Sequence, residues 1–356
     1  MPALILNYSF LPKRLTGLGV YAENVLPAFA SFDTRLVAPR ALGARTANFN
    51  LSPDDITSDL GSRANLRRLA WTERALPRFR RSSKDLVFSP VPEAPLFSCR
   101  KLMVVHDLIP LRTDTTSRKL KLYFQLYVLN VIRRAELVVT DSEATRRDLA
   151  ELAGLREDRV RVVPLGVDFE RFSPIAPITK QRYLIYVGRH DRYKNITVAL
   201  EAFSQLDDRE LRFRIVGPEH SIETPILRAH CSRLGIESRV DFASYVSNED
   251  LVELIRGALA LVHLSAYEGF GLTVLEAMAA GTAVVCSRAD AISEVVGSAA
   301  LQCDPQSTAD VVAALNTVTL DSTARMDLER RGLAHVRHFS WDRTRLQMTE
   351  IIREVL

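Results

Sequence analysis

The side chains best suited to chemistry stand in "AYEGFGLTVLEAMAAG", Ala266 to Gly281, where Glu268 and Glu276 are separated by seven residues in an otherwise apolar stretch. A carboxylate on an apolar wall is too costly to keep without a partner, and sugar or ribose hydroxyls are partners of the right kind. Gly269 and Gly271 flank Phe270, so the backbone there can take positive φ and come close to a ligand. A helix is expected from about Thr273 through Met278 to Ala280, with Gly281 as its stop. Glu268 then precedes the glycine loop and Glu276 lies one turn into the helix, which gives the two carboxylates different roles.

Other segments carry matching chemistry. "YVGRHDRYKNI" holds Gly188, Arg189, Lys194 and Asn195 in a loop that should open a helix. Cations beside helix-terminal N–H groups suit a diphosphate, which Arg grips bidentately while Lys adds a point charge; a charged surface loop is the alternative. "VVHDLIP" sets His106 and Asp107 at the carboxyl end of a strand, where an open α/β sheet places its ligands, although a structural histidine would read the same way. "GLGVYA", Gly17 to Ala22, fits a loose dinucleotide pattern, but "FLPKRLT" separates it from the strand before it. Gly17 and Gly19 are therefore read as a flexible phosphate-facing loop and not as an NAD site.

Positioning such groups takes a scaffold, and the chain alternates strand and helix patterns twice. "ALILNY", "TRLVAP", "DLVFSP", "KLMVVHD", "ELVVTDS" and "VRVVPLG" are apolar throughout, the mark of parallel strands covered on both faces. After the proline-containing stretch at residues 167–181, "YLIYVG", "RFRIVG", "RVDFAS", "LALVHLS", "TAVVCS" and "AALQCD" repeat the pattern. At 356 residues the chain exceeds what one core serves, so two doubly wound α/β domains are expected, residues 1–170 and 171–356, with a ligand in the cleft between them. The amphipathic last segment, residues 341–356, either closes the second domain or crosses back to the first.

Composition narrows the class. Apolar residues make up 47% and charged residues 25%, as in ordinary globular proteins. The amino terminus lacks the basic and cleavage features of a signal peptide, and no apolar stretch is long enough to span a bilayer. Cys99, Cys231, Cys286 and Cys303 are scattered singly, against a zinc site or a disulfide framework, so a reducing cytoplasm is expected. The net charge of +4 hides an asymmetry: through Glu170 there are 26 Lys+Arg against 19 Asp+Glu, and the remainder is acidic. Much of the surplus lies in "RANLRRLAWTERALPRFRRSSK", including Arg78, Arg80 and Arg81, where aromatic and leucine side chains interleave with arginines. Such a segment suits an anionic membrane or a phosphate-bearing acceptor, or is a solvated helix face on its own core. No nucleic-acid-binding signature accompanies the charge.

These segments in this order, with "GLGVYAENVLPAFA", "VTDSEATRRDL", "VVPLGVDFERFSP", "SEVVGSAALQCDP" and "FSW", resemble the family 4 retaining glycosyltransferases over nearly the whole chain. The most specific of them is the Glu, seven residues, Glu pattern of "YEGFGLTVLEAMAAG". The resemblance implies a GT-B fold, two Rossmann-like domains facing each other across a cleft. It assigns Glu268 to the donor sugar and Glu276 to the nucleotide ribose. Backbone N–H groups of Phe270, Gly271 and Leu272 would bind the diphosphate and sugar, and Arg189 and Lys194, beside Gly188, would neutralise the leaving nucleoside diphosphate. Gly17 and Gly19 would approach the phosphate from the other domain, and His106 would sit near the reacting carbon. No metal or other cofactor is required in such enzymes. Relatives often have Pro where this chain has Thr273, and glycine where it has Ser244; the resemblance implies that Ser244, with Val246, would line the nucleobase pocket.

The implied activity is a retaining transfer of a hexose, with GDP-mannose favoured over a UDP-hexose, to a lipid-linked saccharide in surface polysaccharide or lipopolysaccharide synthesis. The enzyme would be cytoplasmic and peripheral on the inner face of the cell membrane. The alternatives are distinguishable. A GT-B epimerase needs its own acid and base, and a pyridoxal-type phosphorylase a Schiff-base lysine. A non-catalytic nucleotide-sugar binder has no need of Glu268, Glu276, Arg189, Lys194 and His106 together.

Overall fold

A computed structural model describes residues 2–11, 17–40, 49–57, 60–173, 179–244 and 246–356. Strand runs such as Leu4–Asn7, Leu86–Ser89 and Leu137–Thr140 are buried at every position. No strand with one wet face is buried so completely, so helices must cover both faces of the sheet, the arrangement of parallel pairing.

Two compact units result. The first comprises Met1–Leu111, Thr116–Gly166 and Trp341–Leu356; the second comprises Arg112–Thr115 and Val167–Ser340. In the first, β1 (Leu4–Asn7), β2 (Thr34–Ala38), β3 (Phe49–Leu51), β4 (Leu86–Ser89), β5 (Arg100–Val104), β6 (Leu137–Thr140) and β7 (Val160–Val162) form one parallel sheet in the order β3-β2-β1-β4-β5-β6-β7. In the second, β8 (Tyr183–Val187), β9 (Arg212–Val216), β10 (Val240–Ala243), β11 (Ala260–His263), β12 (Ala283–Ser287) and β13 (Leu301–Cys303) follow the order β10-β9-β8-β11-β12-β13. Each is a Rossmann-like sheet whose strand order reverses once, beside β1 in the first unit and beside β8 in the second.

The structure differs from the sequence reading in several places. β3 was not expected: it is an edge strand of only three residues. Gly17 and Gly19 are not in a loop, because the helix Gly17–Val25 starts at Gly17 and buries Gly19, Tyr21, Ala22 and Val25. The apolar spacing of Tyr21 and Val25 carries the helix back over both glycines. The unit boundary falls between Gly166 and Val167, and residues 174–178 of the expected linker lie outside the described residues. The helix Trp341–Val355 belongs to the first unit, where Arg345 donates to the Asn24 carbonyl at 3.2 Å and Thr349 to that of Ala28 at 3.0 Å.

In the basic segment, the helix Gly61–Arg74 and the turn after it direct Trp71, Leu76 and Phe79 onto Ile5, Val37 and Val87. Trp71 and Phe79 are thus partly buried against the core, whereas Leu66 of the same segment is exposed. Arg68 is withdrawn too, paired with Glu93 at 2.6 Å. Arg78 and Arg81 remain exposed, and Arg80 donates to the Pro77 carbonyl at 3.4 Å. Among the described residues no helix is long and apolar enough to cross a membrane.

Candidate functional site

The reversal of strand order in the second unit brings together the loops that follow β8 and β11, at the carboxyl ends of these strands. The first loop carries Gly188, Arg189 and Lys194; the second carries Glu268, Phe270 and Gly271. Two bonds pin them to each other. Ala266 N–H donates to the Tyr193 carbonyl at 2.8 Å, and the Asn195 side-chain amide donates to the Leu264 carbonyl at 2.9 Å. Asn195 takes a left-handed φ of 54° to make this turn into the helix Ile196–Ser204.

At the join, Lys194 Nζ lies 2.5 Å from Glu268 Oε1, with both side chains largely buried. His263, the last residue of β11, donates from Nε2 to the same oxygen at 3.0 Å. Among the described residues Oε2 of Glu268 has no hydrogen-bond partner. Burial works against this carboxylate's charge, yet Lys194 and His263 more than compensate and bring its pKa down to about 2. Glu268 is therefore a fixed anion with one oxygen still able to accept. Sequence reading missed His263, although its place at the end of "LALVH" was the signal already applied to His106.

The helix expected near Thr273 spans Leu272–Ala279 and is entered through Gly271 at φ 98°, with no side-chain cap. Its first N–H groups, from Leu272 and Thr273, are left for something else to satisfy. Phe270 is buried and meets Phe339 edge-on with ring centroids 6.0 Å apart. Gly281, at φ 66°, ends the helix. Glu276, inside it, has no hydrogen-bond or ion-pair partner among the described residues. Its burial lifts the pKa to about 7, opposed by the charge of Arg171. A part-buried carboxyl without a partner is unusual and needs explaining; a ligand hydroxyl would supply the missing bond.

The remaining residues of the second unit stand around this join. Arg189 is well exposed and its guanidinium lies 3.1 Å from Asp191. Gly188 has φ 148°, and Gly217 at φ 151° passes so close that a Cβ would lie 2.0 Å from the Gly188 carbonyl oxygen. Ser244 and Val246 follow β10 and flank position 245, which lies outside the described residues. Among the described residues no three His, Cys, Asp or Glu side chains are grouped as a metal ion would need.

His106 belongs to the first unit, just beyond β5. Its Nδ1 lies 2.6 Å from Asp141 Oδ2, at the end of β6, and its Nε2 lies 3.0 Å from the Pro90 carbonyl oxygen. Tyr21, from the helix Gly17–Val25, packs edge-on against the ring at 4.7 Å. Asp141 was not singled out in the sequence, since its partner is 35 positions away.

Comparison with known proteins follows the division into units. The model for glycosyltransferase family 4 matches residues 15–171 and that for glycosyl transferases group 1 matches residues 168–335. O-antigen chain mannosyltransferase B of Escherichia coli is 32% identical over 222 residues, which are 58% of this chain and 58% of that protein. A D-inositol 3-phosphate glycosyltransferase of Acidothermus cellulolyticus is 32% identical over 247 residues, 64% of this chain and 55% of that protein. The chain thus spans somewhat over half the length of these curated relatives. The crystal structure of HepE from Anabaena in complex with UDP and glucose matches 99% of this chain and 100% of that one, with a TM-score of 0.78 at 18% identity. That likeness is one of fold.

Proposed function

Because the chain belongs to the family 4 GT-B glycosyltransferases, we propose that it is a retaining hexosyltransferase, moving a sugar from a nucleotide donor to a lipid-linked saccharide of a surface polysaccharide or lipopolysaccharide. The observation that carries this reading is the join of Lys194 and Glu268 beside an uncapped helix whose Glu276 has no partner among the described residues. These groups answer to the parts of one donor. The spare oxygen of Glu268 would accept from a sugar hydroxyl, the N–H groups at Gly271, Leu272 and Thr273 would face the diphosphate, and Glu276 would accept from the ribose.

In the proposed reaction the acceptor oxygen attacks the anomeric carbon on the face from which the diphosphate leaves. The departing phosphate takes the acceptor's proton. Lys194 and Arg189 stabilise the charge that builds on the leaving group, a preorganised electrostatic contribution that is generally the largest catalytic one. Glu268 is already held by a lysine and a histidine, which suits an orienting anion and not a nucleophile. No metal ion or other cofactor is assigned a part in this scheme.

Mannose from GDP-mannose is the favoured donor, supported by the mannosyltransferase named among the relatives. Ser244 and Val246 would meet the nucleobase, and Gly188 would lie where the backbone comes close to the phosphates. Gly17 and Gly19, at the start of a helix of the first unit, would offer N–H groups to phosphate. The exposed Arg78 and Arg81, with Arg80, would hold the enzyme on an anionic membrane at its cytoplasmic face.

A panel of nucleotide sugars, scored by thermal stabilisation and by slow donor hydrolysis, tests this. Stabilisation by GDP and GDP-mannose but not by UDP is expected. Stabilisation by UDP alone would replace the donor, and none by any nucleotide would sink the reading.

A further inference from the structure

While Asp141 is ionised, both ring nitrogens of His106 face oxygen atoms that can only accept; burial raises the pKa of Asp141 and the charge and hydrogen bond of His106 oppose that. Asp141 Oδ2 lies 2.6 Å from Nδ1 and the Pro90 carbonyl 3.0 Å from Nε2. A neutral imidazole has one N–H and one lone pair, so in either tautomer it would direct a lone pair at one of these oxygens. Beside an ionised Asp141, only the doubly protonated ring satisfies both; the alternative is a neutral ring taking a bond from a protonated Asp141, which leaves a lone pair on Nδ1.

We propose that His106 is a permanent imidazolium, and that Asp141 is the positioning residue that keeps it so, leaving the ring unable to take a proton from an acceptor. The ring is mostly shielded, with 11% of its side chain accessible, and the Asp141 side chain is at 2%. A buried cation beside a buried anion persists when the remaining N–H is also bonded, as it is here through Pro90.

The surroundings agree. Burial by itself would lower the pKa of His106, but the charge and hydrogen bond of Asp141, the Pro90 carbonyl and the charge of Asp107 raise it above its ordinary value. From the helix Gly17–Val25 the facing group is Tyr21, whose hydroxyl stays neutral because burial, Asp141 and Tyr8 all raise its pKa. From the helix Glu143–Ala153, Thr145 donates to the His106 carbonyl at 3.3 Å and brings no charge.

The pair also fixes a length of backbone. Val105 N–H donates to the Val139 carbonyl at 2.8 Å and Ile109 N–H to Asp107 Oδ1 at 3.0 Å, so the segment carrying His106 is tied on both sides of the ring. Asp141 therefore acts through His106, setting its charge and the placement of residues 105–109. This role rests on the transferase reading only for its kinetic consequence; the protonation state stands apart from it.

The test uses the full chain with nitrogen-15-labelled histidine. Nitrogen shifts of His106, assigned with His106→Gln, should show two N–H groups and no titration between pH 6 and pH 8.5. A lone-pair nitrogen at pH 8, or a midpoint inside that range, would overturn the proposal in the wild-type protein whatever the variants do. In Asp141→Asn the ring should titrate within the range. If the chain is a transferase, kcat at saturating donor should change less than twofold across it in wild type and fall about tenfold towards pH 8.5 in Asp141→Asn, for one proton lost over one pH unit. A wild-type kcat that rises with the deprotonation of His106 would show a general base and overturn the assignment. Absence of transfer with every nucleotide sugar would remove the transferase reading and leave the nitrogen shifts to decide the protonation state.

Discussion

Glu268 and Glu276 stand eight positions apart in sequence and their environments push them in opposite directions. Glu268, held at about 2 by Lys194 and His263, contributes stability above its ordinary value of 4.5 that is lost as pH falls towards 2. Lys194→Ala leaves this buried anion without its cation and should cost ~1–3 kcal/mol of stability as well as most of the turnover, read by denaturant unfolding and donor hydrolysis. Arg189→Ala should lose turnover with stability changed by less than ~0.5 kcal/mol, because its side chain is mostly in solvent. Glu276, raised to about 7, has the opposite sign: the unfolded carboxyl ionises first, so stability falls as pH rises from 4.5 towards 7. Glu276→Gln should therefore stabilise the protein by ~2 kcal/mol at pH 8 and very little at pH 4.5, while weakening nucleotide binding. If the ribose needs the carboxylate, nucleotide affinity in the wild type should rise about tenfold from pH 6 to pH 8, and in Glu276→Gln this part of the pH dependence should vanish in calorimetric titration. That the two carboxylates stand in different settings was legible in the sequence because the glycine loop divides them. Lys194 could not be attached to Glu268 there, since the two meet only when β8 and β11 lie side by side, and Arg171, in the short helix Phe169–Phe172, is as remote from Glu276; His263, five positions before Glu268, was within reach.

At the scale of elements, strands such as Tyr183–Val187 and Ala283–Ser287 were legible because burial on both faces leaves apolar residues at nearly every position. β3, with three residues at a sheet edge, has too short a run to register any period. The helix Gly17–Val25 was misread at its start because glycine has a low intrinsic helix preference, which packing through Tyr21 and Val25 overrides. Glycine is required elsewhere. Gly271→Ala forces a side chain into φ 98° at the entrance to the helix Leu272–Ala279 and should cost ~1–2 kcal/mol, with loss of nucleotide affinity. Gly217→Ala should cost more, since its Cβ would meet the rigid Gly188 carbonyl at 2.0 Å, whereas the Cβ at Gly271 meets the movable end of Ile292. Thermal melts of the two variants with and without nucleotide decide the order.

At the scale of the whole molecule, two successive α/β alternations gave the two units, and the charge asymmetry between the halves survives in the exposed arginines of the first. What the sequence could not separate was which apolar side chains in the basic segment face inward; Trp71 and Phe79 do. The proposed membrane attachment then rests on charge more than on aromatic insertion. Replacing Arg78, Arg80 and Arg81 with Glu should weaken binding to anionic vesicles by about 1 kcal/mol per residue, and 0.5 M salt should weaken the wild type likewise. Binding that ignores both changes would return the segment to an ordinary solvated face. The helix Trp341–Val355, seated on the Gly17–Val25 helix through Tyr21 and Asn24 and on the following turn through Ala28, has a consequence for biosynthesis. On the ribosome every strand of the second unit emerges before that helix does. The half that is translated first is the half that finishes folding last, and until then Tyr21 and its neighbours wait uncovered for a segment more than 300 positions downstream.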